Sequence, residues 1–440
     1  MIIIIRNAHI VNADGDFHSD ILIREGKIIS IGKGVRYDGV DEQEEIDATG
    51  MLVFPGGVDP HVHMHLPTGA GYSSDDFRSG SKAALSGGTT SIIDFVTPHR
   101  GQSLVDALKA RKAEAAGCLT ALGFHISPVE WRESTADEIR ECIRLGYKSF
   151  KLYMAYKDSI GVDESVIEKV MQVVAAEGGI VIMHCEMGDK IEQLRTKMAA
   201  EGLLSPAAHP LSRPPHTESQ AVGIAIRLAA KTNCPLYVVH VSAAESVELI
   251  RQARNSGQQV MGEACPHHLL LDESLYNKPF EQSAPYVLSP PLRSRRHRDA
   301  LWKGLQDGTL QTVGTDHCPF MMHQKNLGRN DFRKIANGAG GVEHRLSLLY
   351  TYGVLQNKIS LQDFVKLTST NPAKTFGMYA YKGIIAEGAD ADIVIWDPNK
   401  KHTITAKNHQ QNCDHNIYEG FITIGNPSIV IAKGKVHPSE

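Results

Sequence analysis

Two kinds of hydrophobic patterning alternate along the chain. Near the N-terminus short β-branched runs, Ile2–Ile5, Ile21–Ile23 and Lys27–Ile31, are separated by the turn formers Asn12-Ala-Asp-Gly15 and Glu25-Gly26. Such runs predict a small antiparallel unit. The same patterning returns in Ala391-Asp-Ile-Val-Ile-Trp396 and Ser428-Ile-Val-Ile-Ala432. The expectation is one β-sandwich-like domain built from both ends, residues 1–52 and 384–440.

Between them, eight apolar runs recur: Met51–Val58, Thr89–Phe95, Leu119–Ser127, Ser149–Met154, Gly179–Cys185, Pro235–Ser242, Gln259–Pro266 and Gln311–His317. Helix-capable stretches lie between, including Ser103–Ala116, Thr135–Leu145, Asp163–Glu177, Glu218–Lys231 and Ala244–Ser256. Strand–helix alternation is the pattern of a parallel sheet, and eight such units close into a (β/α)8 TIM barrel. Residues 53–383 are expected to form it. An open doubly wound sheet is disfavoured because no GxGxxG follows the first run.

The runs end in an unusual set of residues. The first breaks at Pro55-Gly56-Gly57 and then delivers His61 and His63, two apart. In an extended chain such side chains point the same way, and two imidazoles on one side can grip one cation. His184 ends the fifth run, His240 the sixth and Asp316 the eighth, with Lys151 inside the fourth. Barrel sites form at the C-terminal ends of the strands. Any one of these histidines alone reads as a packed or surface residue; the set reads as a metal site. In Ser149-Phe-Lys-Leu-Tyr-Met154, alternation turns Phe150 and Leu152 towards the helices and Ser149, Lys151 and Tyr153 into the barrel. Burial lowers a lysine pKa. A neutral amine can capture carbon dioxide as a carbamate that bridges two cations; pairing with Asp316 is the simpler alternative.

Composition narrows the function classes. The 440 residues are 42% hydrophobic and 22% charged, ordinary for a soluble globular chain. A net charge of -4, both signs interspersed, excludes a nucleic-acid or membrane-surface partner. The seven cysteines are odd in number and lack CxxC spacing, pointing to a reducing, cytoplasmic setting. Met1-Ile-Ile-Ile-Ile-Arg is too short and β-branched for a signal sequence, and no run reaches transmembrane length.

A resemblance appears in the segments Gly57-Val-Asp-Pro-His-Val-His, Gly87-Gly-Thr-Thr and Ser149-Phe-Lys-Leu-Tyr-Met-Ala-Tyr-Lys157. It continues in Ser289-Pro-Pro-Leu-Arg293, Gly314-Thr-Asp-His-Cys-Pro319 and Asn337-Gly-x-x-Gly-Val-Glu343. Together, in this order, they resemble the dihydropyrimidinase/hydantoinase family of cyclic amidohydrolases. The resemblance implies two divalent metal ions, zinc by default with manganese or cobalt as substitutes, bridged by a carbamate on Lys151. It implies His61, His63 and Asp316 on one metal, and His184 and His240 on the other. It further implies that Tyr156, Ser289 and Asn337 contact a small cyclic ureide or imide. A hydroxide shared by the metals would attack the ring carbonyl, Tyr156 would donate to the oxyanion, and Asp316 would carry the proton to the leaving nitrogen. The product would be an N-carbamoyl amino acid.

Other residues are expected to be bland. Glu263 reads as a hydrogen-bonding group inside the barrel, Cys318 as structural, and His267-His268 and Arg293-Ser-Arg-Arg-His-Arg298 as surface. His65 stands where dihydroorotases carry a substrate-binding arginine, which counts against that activity and leaves His65 as a specificity position. Allantoinase is the near alternative. A non-catalytic scaffold like the collapsin response mediators is the distant one, disfavoured because all six metal-ligand positions are present. The family implies a homotetramer, with a dimer as the alternative; the chain stops at Glu440, without the usual Gly/Arg-rich tail.

Overall fold

The computed structural model describes residues 2–438. Eight parallel strands form a nearly closed barrel in chain order: Gly57–Asp59, Thr89–Val96, Ala121–Ile126, Ser149–Tyr153, Ile180–His184, Leu236–Val238, Val260–Ala264 and Thr312–Val313. Each expected run supplies one. The first is divided differently from expectation: Leu52–Pro55 pairs with the terminal strands Ile2–Asn12 and Ile393–Thr403, and Gly57–Asp59 alone joins the barrel. Gly56 marks the crossing, its amide donating to Asp392 of one sheet while Gly57 donates to Gly88 of the other.

The expected helices form within a few residues of their forecast limits, as Leu104–Glu114, Thr135–Arg144, Glu164–Ala176, Pro215–Thr232 and Ala244–Asn255. They bury apolar stripes such as Ile167, Val170, Met171 and Val174 against outward-facing Phe150 and Leu152. Helices Phe77–Ser86 and Gly188–Ala200 escaped the sequence reading. Arg295–Gln306 is also helical, and it buries His297, while Arg293 is 4% exposed and donates to Ser242 Oγ. That corrects the surface assignment of these two residues.

The seam between first and eighth strands is not a backbone ladder. It is stitched by side chains and a single parallel bridge, Val62 with His317. The fully buried Arg345 guanidinium donates to Val58 O (2.8 Å) and Val313 O (2.9 Å), one carbonyl from each strand. Buried Asp59 accepts from Thr315 N (3.1 Å) and Oγ1 (2.6 Å). Short strands thereby keep their polar groups satisfied.

Both termini build one eight-stranded sheet, largely antiparallel, with Ile2–Asn12 at its centre. Its face buries Ile3, Ile5, Ile10, Ile21, Ile23, Ile28, Val53, Ile393, Ile395 and Ile431. Among the described residues no helix is long and apolar enough to cross a membrane. All seven cysteines are free.

Candidate metal centre

The residues expected at the strand ends do converge. His61 Nε2 and His63 Nε2 lie 3.3 Å apart, each 3.0 Å from Asp316 Oδ1. His184 Nδ1 faces His240 Nε2 at 2.9 Å, and the His240 ring centroid is 5.4 Å from that of His61. Donor atoms of His61, His240 and Asp316 fall within 4.8 Å of one another. All four histidines are buried. Ring nitrogens opposed this closely repel unless a proton or a cation lies between them, so the donor set fits divalent metal.

The outer ring nitrogens strengthen that fit. His61 Nδ1 donates to Glu263 Oε1 at 2.7 Å, and His184 Nε2 donates to Glu186 Oε2 at 2.9 Å. A carboxylate on the far nitrogen fixes the tautomer and turns the other lone pair inward, as metal-binding histidines require. Glu263 also accepts from His240 N (2.9 Å) and Tyr237 Oη (2.8 Å), aligning ligands from two strands. Gly314 makes room for it, because a Cβ there would stand 2.5 Å from the Glu263 carboxylate. Arg213 pairs with Glu186 in a fully buried ion pair.

Lys151 reaches this centre from the fourth strand at 1% exposure. Its ammonium sits 5.1 Å from the ring centroids of both Phe95 and Tyr153. Among the described residues it has no ion-pair partner within 4.0 Å, so the pairing with Asp316 weighed from sequence does not form. Burial pulls its pKa down to about 8 against the opposing fields of Asp316 and Glu263. Burial resists ionisation of Asp316 too, but His61 and His63 hold that carboxyl well below its usual range.

Backbone strain concentrates here. Tyr156, His240 and Asp316 adopt left-handed φ of 61°, 36° and 50°, and His65 one of 47°. Non-glycine residues hold such angles when surrounding contacts over-determine them, commonly at functional sites. Tyr156 thereby turns its ring to 5.3 Å from that of His184, where its hydroxyl meets Ser289 and Arg213. Ser289 Oγ donates to Asn337 Oδ1 at 2.7 Å, so the two loop residues also come together. His65 instead stacks on Tyr72 (centroids 4.0 Å, 10°) and pairs with Glu114 at 2.6 Å.

The sequence reading underrated several supports. Glu186 lies two residues past His184, a spacing that could have flagged it. Asp94 is a charge inside an apolar run, and it accepts from Met64 N (2.7 Å) and Arg111, holding the segment after His63. Arg213 follows a short helix and carries no local signal. His267 and His268, expected at the surface, are 4% and 2% exposed at the end of the seventh strand, His268 bonding Pro290 O at 3.0 Å; the helix Pro266–Leu270 turns them inward.

The amidohydrolase family profile matches residues 52–436. The chain belongs to the amidohydrolase family. Within it, this amidohydrolase is 42% identical to a D-hydantoinase of Geobacillus stearothermophilus over 98% of its own length and 92% of the relative's. It is 39% identical to a dihydropyrimidinase of Rattus norvegicus, covering 99% of itself and 85% of that protein. The crystal structure of dihydropyrimidinase from Brevibacillus agri NCHU1002 superposes with a TM-score of 0.98 at 41% identity, covering 100% of this chain and 96% of that one. Membership implies a divalent metal centre, and the donors gathered at the barrel mouth fit one.

Proposed function

We propose that this amidohydrolase opens a dihydropyrimidine or 5-substituted hydantoin ring at a C–N amide bond, releasing an N-carbamoyl amino acid. The observation that carries the reading is the convergence of four inward-facing ring nitrogens, one carboxylate and a buried lysine lacking a counter-charge. Hydantoinases and dihydropyrimidinases among the relatives support the ring chemistry.

His61, His63 and Asp316 would hold one zinc ion, and His184 and His240 the other, with Lys151 contributing to both as a carbamate formed from carbon dioxide with loss of one proton. Two such ions supply Lewis acidity, polarising the ring carbonyl and lowering the pKa of water. The chain's own groups do the rest. Asp316 takes the proton from attacking water and returns it to the leaving ring nitrogen. The Tyr156 hydroxyl, whose pKa burial raises, stays protonated and donates to the developing oxyanion. Ser289 and Asn337 meet the polar edge of the ring. The barrel, entered at Gly57 rather than at residue 53 and running to 383, carries the centre, and the terminal β domain, which takes in Leu52–Pro55 together with 384–440, supports it. Free cysteines support a cytoplasmic setting. A homo-oligomer, tetrameric as the family implies, completes the proposal; sedimentation as a stable monomer would remove that part.

The test is metal content by elemental analysis, paired with hydrolysis of dihydrouracil and of a 5-monosubstituted hydantoin, with Lys151→Ala as control. About two metals per chain, turnover of either ring and an inactive variant are expected. Failure to bind metal even with bicarbonate present would sink the mechanism and revive the scaffold reading. Two metals without turnover would exclude both rings and leave other cyclic ureides, allantoin first.

A further inference from the structure

Lys325 ends the short helix Met322–Lys325 and is fully buried. Its ammonium donates to three backbone carbonyls: Val287 O at 3.0 Å, Ala336 O at 2.7 Å and Gly338 O at 2.7 Å. Among the described residues no carboxylate pairs with it within 4.0 Å. Holding an uncompensated ammonium in the interior is costly, and an apolar side chain would fill the same space without that cost. Simple packing therefore does not explain it. The count does: an ammonium has three N–H donors for three carbonyls, whereas a neutral amine has two.

Those carbonyls come from the two segments bearing the ring-edge groups. Val287 precedes Ser289 by two residues, and Ala336 and Gly338 flank Asn337. The segments are further joined by Gly338 N to Val287 O (3.0 Å) and by Ser289 Oγ to Asn337 Oδ1 (2.7 Å). Gly338 sits at φ +145°, where a Cβ would fall 2.3 Å from Cys318 O, so this loop can close on Lys325 only with glycine there.

We propose that Lys325 is a positioning residue for substrate, its ammonium clamping segments 287–289 and 336–338 so that Ser289 and Asn337 meet the ring edge together. This rests on the ring-edge assignment made above. The groups facing the ammonium are the Cys318 and Cys413 thiols, His415 and the Phe320 ring, centroid 5.8 Å away. Burial pushes both thiols up, Cys413 to about 11, and pushes His415 down to about 4, so all are neutral near pH 7. With no anion beside it, burial brings the Lys325 pKa down to about 7. The clamp thus loses one of its three bonds as pH rises through neutrality.

Steady-state kinetics of the metal-loaded enzyme and of Lys325→Met, on whichever ring is turned over, test this between about pH 6 and 9. The variant should raise KM roughly tenfold, the equivalent of one charge-assisted bond, with kcat within about twofold. Wild-type KM should rise through about pH 7 while the variant's stays flat. An unchanged KM in the folded variant, or a fall confined to kcat, overturns the proposal. Hydrogen–deuterium exchange of the wild type covers a variant that fails to fold, and also an enzyme that turns over neither ring. Amides of 288–289 and 336–338 should lose protection with rising pH beyond that of other buried loops; equal behaviour overturns the clamp independently of activity.

Discussion

Replacing Glu263 by glutamine removes a charge from the metal centre while leaving its shape. The carboxylate is wholly buried and accepts from His61 Nδ1, His240 N and Tyr237 Oη at 2.7, 2.9 and 2.8 Å. A glutamine Oε1 keeps the first two bonds. Its amide nitrogen meets Tyr237, which can reverse its hydroxyl because Thr312 Oγ1, 2.5 Å away, serves as an alternative acceptor. The fold should therefore survive, unlike in Glu263→Ala, where His61 Nδ1 and His240 N, two buried donors, are orphaned at about 1–3 kcal/mol each. What is lost is the anion that makes His61 a better donor to metal; burial alone would lower its pKa, but Glu263 and Asp316 raise it to about 9. Loss of such an outer partner weakens metal binding about 10- to 100-fold, or roughly 1.4–2.8 kcal/mol. Competition with a chromophoric chelator measures the dissociation constant, and circular dichroism checks the fold. A folded Glu263→Gln protein that binds metal within about twofold of wild type would refute the reasoning.

Three further outcomes are expected. Tyr156→Phe should keep its metal and lower kcat by about 10²–10³, the loss typical of one oxyanion donor; a fall below about tenfold would take Tyr156 out of that role. Arg345→Met strands Asp59, 3.9 Å away, without its buried counter-charge and frees Val58 O and Val313 O at the seam. Denaturant unfolding should show a loss of about 3–5 kcal/mol, and near-wild-type stability would mean that the seam closes without it. Glu343 is raised from 4.5 to about 7 by burial, which outweighs the amides of Gln410 and Gln411. The folded state thus binds the extra proton, so the contribution of Glu343 to stability is greatest below about pH 4.5 and is lost as pH rises through 7, by up to roughly 3 kcal/mol. Glu343→Gln should flatten that slope in denaturation curves between about pH 5 and 8, and an unchanged slope would assign it elsewhere.

Much of this molecule was legible in order along the chain. Alternation in Ser149–Tyr153 decides on its own that Lys151 faces inward, because strand side chains have a period of two. The eight apolar runs and the helical stretches between them imply a barrel, and barrel geometry sends His61, His63, His184, His240 and Asp316 to one rim. Those are local facts that a strand carries wherever it is placed.

The supports were not legible, because they depend on what lies beside a residue rather than along it. Glu263 looks like any polar residue in a strand until the closed barrel sets it against His61, 202 positions away. Arg345 and Asp59 come together only where first and eighth strands meet. The division of Met51–Val58 between two sheets follows from competition for backbone partners, which Ile2–Asn12 wins for Leu52–Pro55. His267 and His268 read as polar and exposed, yet the chain's turn after the seventh strand buries them. Lys325 is the sharpest case. A lysine in a polar stretch predicts solvent, and only three carbonyls converging from two distant loops make an interior ammonium tolerable. Sequence determined the donors and the faces they occupy; tertiary contact decided their protonation, their aim and what holds them, because desolvation and hydrogen-bond partners exist only once the chain has closed.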